Sequence, residues 1–152
     1  MRHRTHRHNL GVRKEHRASM VANLAAALIT HARITTTLSR ARAVRPFVEK
    51  IVTLAKKGAA ASTPAEKLHY YRLALSRLRD ESAVALLFKE RVSAFQKRKG
   101  GYTRILKIGN RIGDAAETAL IELVGKDDAQ PPRPKAKVAK AKTPKVAAAA
   151  QA

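Results

Sequence analysis

GGYTRILKIGNRIGDAAETALIELV, residues 100–124, is the stretch that decides the fold class. Up to this point the apolar spacing is mostly helical; here the pattern switches to strands. Tyr102 to Gly109 and Thr118 to Val124 read as two strands. Asn110 to Glu117 lies between them, contains Gly113-Asp114 and reads as the loop of a hairpin. The basic turn Lys97-Arg98-Lys99-Gly100-Gly101 leads into the first strand.

Upstream, the segment Arg33 to Leu38 (RITTTL) is rich in β-branched residues and predicts one early strand. The rest reads as helix. Met20, Val21, Leu24, Ala25 and Leu28 recur at helical spacing, so a first helix spans roughly 15 to 31. Ser39 is placed to cap a second helix, whose inward stripe is Val44, Phe47, Val48, Ile51, Val52 and Ala55. Pro46 interrupts that stripe and predicts a kink or a late start. Lys56, Lys57 and Gly58 read as its close. Thr63 as N-cap, Pro64 at the first helical position and Glu66 as the capping-box partner open a third helix. Its apolar face is Leu68, Tyr71, Leu75 and Leu78. Asp80 caps a fourth helix with Val84, Leu87 and Phe88 inward and Val92 and Phe95 trailing. The expectation is an α+β fold: about four helices packed on a small sheet made of one early strand and a C-terminal hairpin.

Charge divides the 152 residues into three zones. Residues 1–17 form a basic N-terminal arm, with six Lys or Arg against the single acid Glu15 and almost no aliphatic side chain. Residues 18–125 hold every Tyr and Phe and form one globular α+β RNA-binding domain with its own excess of cations. Residues 126–152 are a Lys/Ala/Pro-rich tail without an aromatic. Arm and tail cannot bury enough apolar surface to fold alone, so both are expected to be disordered. A formal net charge of +21 repels itself and calls for a polyanion, nucleic acid first and an anionic membrane surface second. Cysteine is absent, which excludes disulfides and thiolate metal sites. The N-terminus lacks an apolar signal region and no stretch is long enough to span a bilayer, so a cytoplasmic protein is expected.

Three groups of residues carry possible chemistry. In the arm, Arg2, His3, Arg4, Arg7, His8, Arg13, Lys14 and Arg17 suit insertion between RNA segments, where guanidinium forks grip phosphate; a solvated tail is the plain alternative. His3, His6 and His8 are spaced for zinc or nickel, but no carboxylate or thiol joins them, so no metal is expected. In the turn, Lys97, Arg98 and Lys99 precede Gly100 and Gly101, which let backbone approach a phosphate closely. Tyr102 can stack on a base, and strand alternation puts Arg104 on its face; an ordinary turn with Tyr102 in the core is equally open. The third group is the helix-face arginines Arg40, Arg42, Arg45, Arg72, Arg77 and Arg79, outnumbering nearby acids but compatible with simple solvation. No phosphate-binding glycine loop or catalytic triad pattern occurs, so neither enzyme activity nor a cofactor is expected.

The opening MRHR, the segment ITTTLSRARAVRPFVEKIVTLAKKG and above all residues 100–124 resemble bacterial large-subunit ribosomal protein seventeen. The resemblance runs from Met1 to about Val124 and leaves out the tail. It implies a structural constituent of the large ribosomal subunit, bound to ribosomal RNA near the mouth of the nascent-peptide tunnel. It also implies neighbouring ribosomal proteins as partners, with protein thirty-two among them. The MRHR match supports Arg2, His3 and Arg4 as RNA contacts, and the GGYTRI match supports Gly100, Gly101, Tyr102 and Arg104. The rival from another class is a DNA-compacting, nucleoid-associated protein, since Lys/Ala/Pro tails are common in proteins that coat DNA.

Overall fold

A computed structural model describes residues 8–125. The elements run α1 (Lys14–His31), β1 (Arg33–Thr37), α2 (Leu38–Ala60) and α3 (Pro64–Leu78), then a fourth helical rod, α4. That rod comprises an α-helical Glu81–Leu86, a π-helical turn Leu87–Arg91 and a closing α-turn Val92–Phe95. β2 (Thr103–Asn110) and β3 (Glu117–Leu123) complete the expected hairpin. The three strands form one antiparallel sheet in the order β1-β3-β2, so the early strand pairs with the last one. Four helices on a small sheet make the α+β fold that the pattern predicts.

Register assigns each face of the sheet. Ile34 and Ile105 both align with Ile121, and this apolar row faces the helices. On the other side, Arg33 and Arg104 flank Glu122. The core between the helices and the inner sheet face is built from Leu28, Ile29, Val48, Ile51, Leu78, Leu87 and Phe95, all buried. α2 is central: it touches α1, α3, the π-turn and all three strands.

Several boundaries differ from the local signals. α2 begins at Leu38 directly from β1, with Thr37 at the N-cap position and no side-chain cap, so Ser39 is not the cap. Leu38 is buried, and burying a leucine is worth roughly 1.5–3 kcal/mol against about 1 for a cap. The helix also runs through Pro46 instead of starting after it. Gly58 does not end α2 either. It is buried inside the helix, and a Cβ there would lie 2.9 Å from Phe88 Cε1 and 3.3 Å from Tyr70 Cβ. Its role is the close approach of α2 to α3 and α4.

The remaining caps follow the sequence. The Thr63 hydroxyl accepts from the Glu66 backbone N–H at 3.3 Å, with Pro64 opening α3. Asp80 accepts from the Ala83 N–H at 3.1 Å and from the Ser82 hydroxyl at 2.7 Å. The Ser82 bond, then the Ala83 bond, holds the Asp80 carboxyl below its ordinary pKa. The predicted face of α3 holds at Leu78, but Leu68 is exposed, because the whole first turn of α3 projects beyond its neighbours. At the far end of α1, Arg91 on the π-turn donates to the Thr30 carbonyl at 2.9 Å, satisfying one of the last carbonyls of that helix.

Candidate nucleic-acid interface

Two places gather several of the residues singled out from the sequence. The first is the basic turn. Tyr102 is only 4% exposed and packs edge-on against Phe95 with ring centroids 5.5 Å apart. Lys56 of α2 lies over its ring, 5.4 Å from the centroid, and donates both to its hydroxyl at 3.4 Å and to the Arg98 carbonyl. The Tyr102 carbonyl accepts from the Val124 N–H at 3.0 Å, closing the turn onto the end of β3. Tyr102 is therefore a core residue whose ring is not open to a base. It precedes β2, and Gly101 at φ +66° turns the chain there, so strand alternation does not place Arg104 on its face. Arg104 sits instead on the outer sheet face, 3.2 Å from the Glu122 carboxylate.

The rest of the turn is more open. Lys97 and Lys99 are exposed, while Arg98 is partly covered and donates to the Gly125 carbonyl at 3.2 Å. A Cβ at Gly100 or Gly101 would meet nothing within 4 Å, so neither glycine is held there by close packing.

The second place lies where α1, α2 and the end of α3 meet. Here a cavity of about 480 Å³ is lined by His8, Lys14 and Arg17 from the start of the described chain, Lys50 from α2, and Arg77 and Arg79 from the end of α3. Among the described residues, no Asp or Glu lines it. Arg17 is oriented by Asn9, donating to its carbonyl at 3.2 Å and its side-chain oxygen at 3.4 Å. Lys14 and Arg17 belong to the first turn of α1, with Arg13 at the N-cap position. Arg40, Arg42, Arg45 and Arg72 are exposed but stand outside this cavity. Arg2, His3, Arg4, His6 and Arg7, with the tail from Lys126, lie outside the described residues. Sequence reading missed Lys50; Phe47 does pack against the core as its inward spacing predicts, and together with Pro46 it also lines the cavity floor. A cation three residues after Phe47 in an otherwise inward stripe was the available signal.

Electrostatically, several acids of the fold already have partners. Glu122 takes Arg104, and Glu49 accepts from the Thr103 hydroxyl at 3.2 Å. Asp114 takes Arg111 in the hairpin loop, and Asp80 caps α4. The Arg111 bond, then the Ala116 N–H, lowers Asp114 to about 2. Among the described residues, no group of three or more His, Cys, Asp and Glu is placed to hold a metal ion. No helix among them is long and apolar enough to cross a membrane.

Comparison with known proteins covers this same body. The family model described as Ribosomal protein L17 matches residues 20–124. A protein of Opitutus terrae named "Large ribosomal subunit protein bL17" is 60% identical over 129 residues, covering 84% of this chain and 75% of that one. The protein of the same name from Methylacidiphilum infernorum is 49% identical over 80% of this chain and 87% of its own length. That from Neorickettsia sennetsu is 44% identical over 82% of this chain and all of its own length. With α2 to α4, the sheet, the basic turn and most of α1 inside the matched region, the chain belongs to the ribosomal protein L17 family.

Proposed function

We propose that this chain is a structural constituent of the large ribosomal subunit that binds ribosomal RNA by neutralising its phosphates. Membership of a ribosomal protein family makes it a structural component and not an enzyme. The observation that carries the RNA reading is the distribution of acids. From residue 18 to 125 there are 19 Lys and Arg against 8 Asp and Glu. Of those acids, Asp80, Asp114, Glu122 and Glu49 are engaged in caps, loop and sheet contacts. The acids left over, Glu66, Glu81, Glu90 and Glu117 with Glu15 at the start of α1, are fewer than the seven Lys and Arg of the cavity rim and of positions 97 and 99. A surface of that kind binds a polyanion with a steep salt dependence. The arm, from Arg2 to Arg17, adds cations to the same task, and the turn has space beside Gly101 for a phosphate to come close. In this reading the protein is ribosome-bound in the cytoplasm, near the nascent-peptide exit, with protein thirty-two among its neighbours, as the resemblance implies.

Two measurements test this together. On sucrose gradients the protein is expected to migrate with large subunits, unaffected by DNase. In filter binding it is expected to prefer large-subunit ribosomal RNA to duplex DNA of equal length at every salt concentration. DNase-sensitive sedimentation with equal affinity for both polymers would instead mark a DNA-compacting protein.

A further inference from the structure

We infer that the cavity between α1, α2 and α3 receives a single nucleotide extruded from the RNA, its base on the apolar floor and its phosphate on the cationic rim. This rests on the RNA reading above and adds a defined subsite to it. The floor is Val21 from α1 with Ala43, Pro46 and Phe47 from α2. Phe47 is half-buried, so one side of its ring packs on the core while the cavity keeps access to the remainder. The cavity is open to solvent on one side, and about 480 Å³ is room for one nucleotide-sized group. A nucleotide joins the stacking face of a base to a phosphate through its sugar, and the cavity supplies a partner for both ends: an aromatic floor and five Lys or Arg with no acid among the described lining residues.

Three local features that cost stability meet at this cavity. Pro46 stands inside α2, where its missing N–H leaves the Arg42 carbonyl without a helical donor. Arg79 ends α3 in the left-handed conformation, φ 61°, where glycine is the usual residue. α1 begins at the rim with no side-chain cap, and its first turn sets Lys14 against the positive end of the helix dipole with Glu15 as its single acid. The Arg79 backbone closes α3 as a C-cap, its N–H donating to the Leu75 carbonyl at 2.8 Å, so what the fold leaves without a use is the arginine side chain there. An anion held at the rim offsets the cation at the start of α1 and gives the side chain of Arg79 its use. An apolar acidic peptide would satisfy the charges too; the aromatic floor beside arginine forks favours a base.

The test uses the full chain and large-subunit ribosomal RNA. Phe47→Leu keeps an aliphatic floor but removes the ring, and is expected to weaken binding roughly tenfold, the scale of one missing base stack. Arg79→Gly relieves the left-handed strain, so its melting temperature should hold or rise while affinity falls, a combination that a purely structural arginine does not give. Chemical probing of the bound RNA should show one base whose protection disappears in both variants while the remaining footprint persists. A photo-crosslinking residue in place of Ser76, which also lines the cavity, should capture a nucleotide in assembled subunits. Wild-type affinity and footprint in both variants overturn the inference and leave RNA binding intact. A crosslink to another protein instead of RNA overturns it in favour of a peptide. Loss of selective RNA binding by the wild type would remove the reading beneath it.

Discussion

The basic turn at residues 97–101 and the cavity rim between α1, α2 and α3 carry similar charge but are built in opposite ways. In the turn, the cations are consecutive in sequence, yet the structure ties the segment down: Arg98 reaches Gly125, Lys56 grips the Arg98 carbonyl, and Tyr102 is buried. In the rim, Lys14, Arg17, Lys50, Arg77 and Arg79 are spread over 66 positions of sequence and become neighbours only because three helices converge. A dense run of charge therefore does not by itself mark the more available site. What matters is whether hydrogen-bond acceptors and acids inside the fold have already claimed the cations.

The sharpest break of this comparison is at Tyr102. Tyr102→Ala is expected to cost about 3–5 kcal/mol in urea unfolding, as for other buried aromatics. Tyr102→Phe should lose only the hydroxyl's hydrogen bonds, about 0.5–1.5 kcal/mol, and bind RNA like wild type. A folded Tyr102→Phe protein with tenfold weaker RNA binding would return Tyr102 to the interface.

Next in size is Gly58, which lets α2 approach α3 and α4. Gly58→Val places a branched side chain where even a Cβ is 2.9 Å from Phe88, and should destabilise by about 1–3 kcal/mol in thermal melts. Wild-type stability in that variant would mean that the helices pack less closely than described.

Charge removal compares the two regions directly. Replacing Lys97 and Lys99 by Gln, or Lys50 and Arg77 by Gln, should each flatten the logarithmic salt dependence of RNA binding, by roughly 0.7 for each phosphate no longer neutralised. Arg104→Gln should change it less, since Arg104 is paired with Glu122. Equal slopes for all three would show that pairing within the fold does not govern availability.

The smallest effect is at the hairpin loop, where a cation does have an acid. Asp114 should titrate at about 2 by NMR, against an ordinary 3.8, and Arg111→Gln should move it back up. Because the folded pKa is depressed, the loop's stabilisation is complete above the ordinary value and is lost as pH falls from there through about 2. An Asp114 midpoint near 3.8 in the wild type would leave Arg111 as available as the rim cations.

Sequence by itself determined the α+β class, the hairpin and the caps at Thr63 and Asp80, because each rests on local chemistry: side-chain periodicity, a proline at a helix start, a carboxylate beside backbone donors. The preponderance of cations was equally legible, since charge is a count. Only the tertiary structure decided that β1 pairs with β3, that α2 starts at buried Leu38 and runs through Pro46, and that Gly58 serves packing instead of termination. It also decided between the two readings of Tyr102 and joined Lys50 to arginines nearly thirty residues away. These outcomes depend on long-range burial, which exceeds a capping or propensity preference of about 1 kcal/mol and leaves no mark at any single position in the chain.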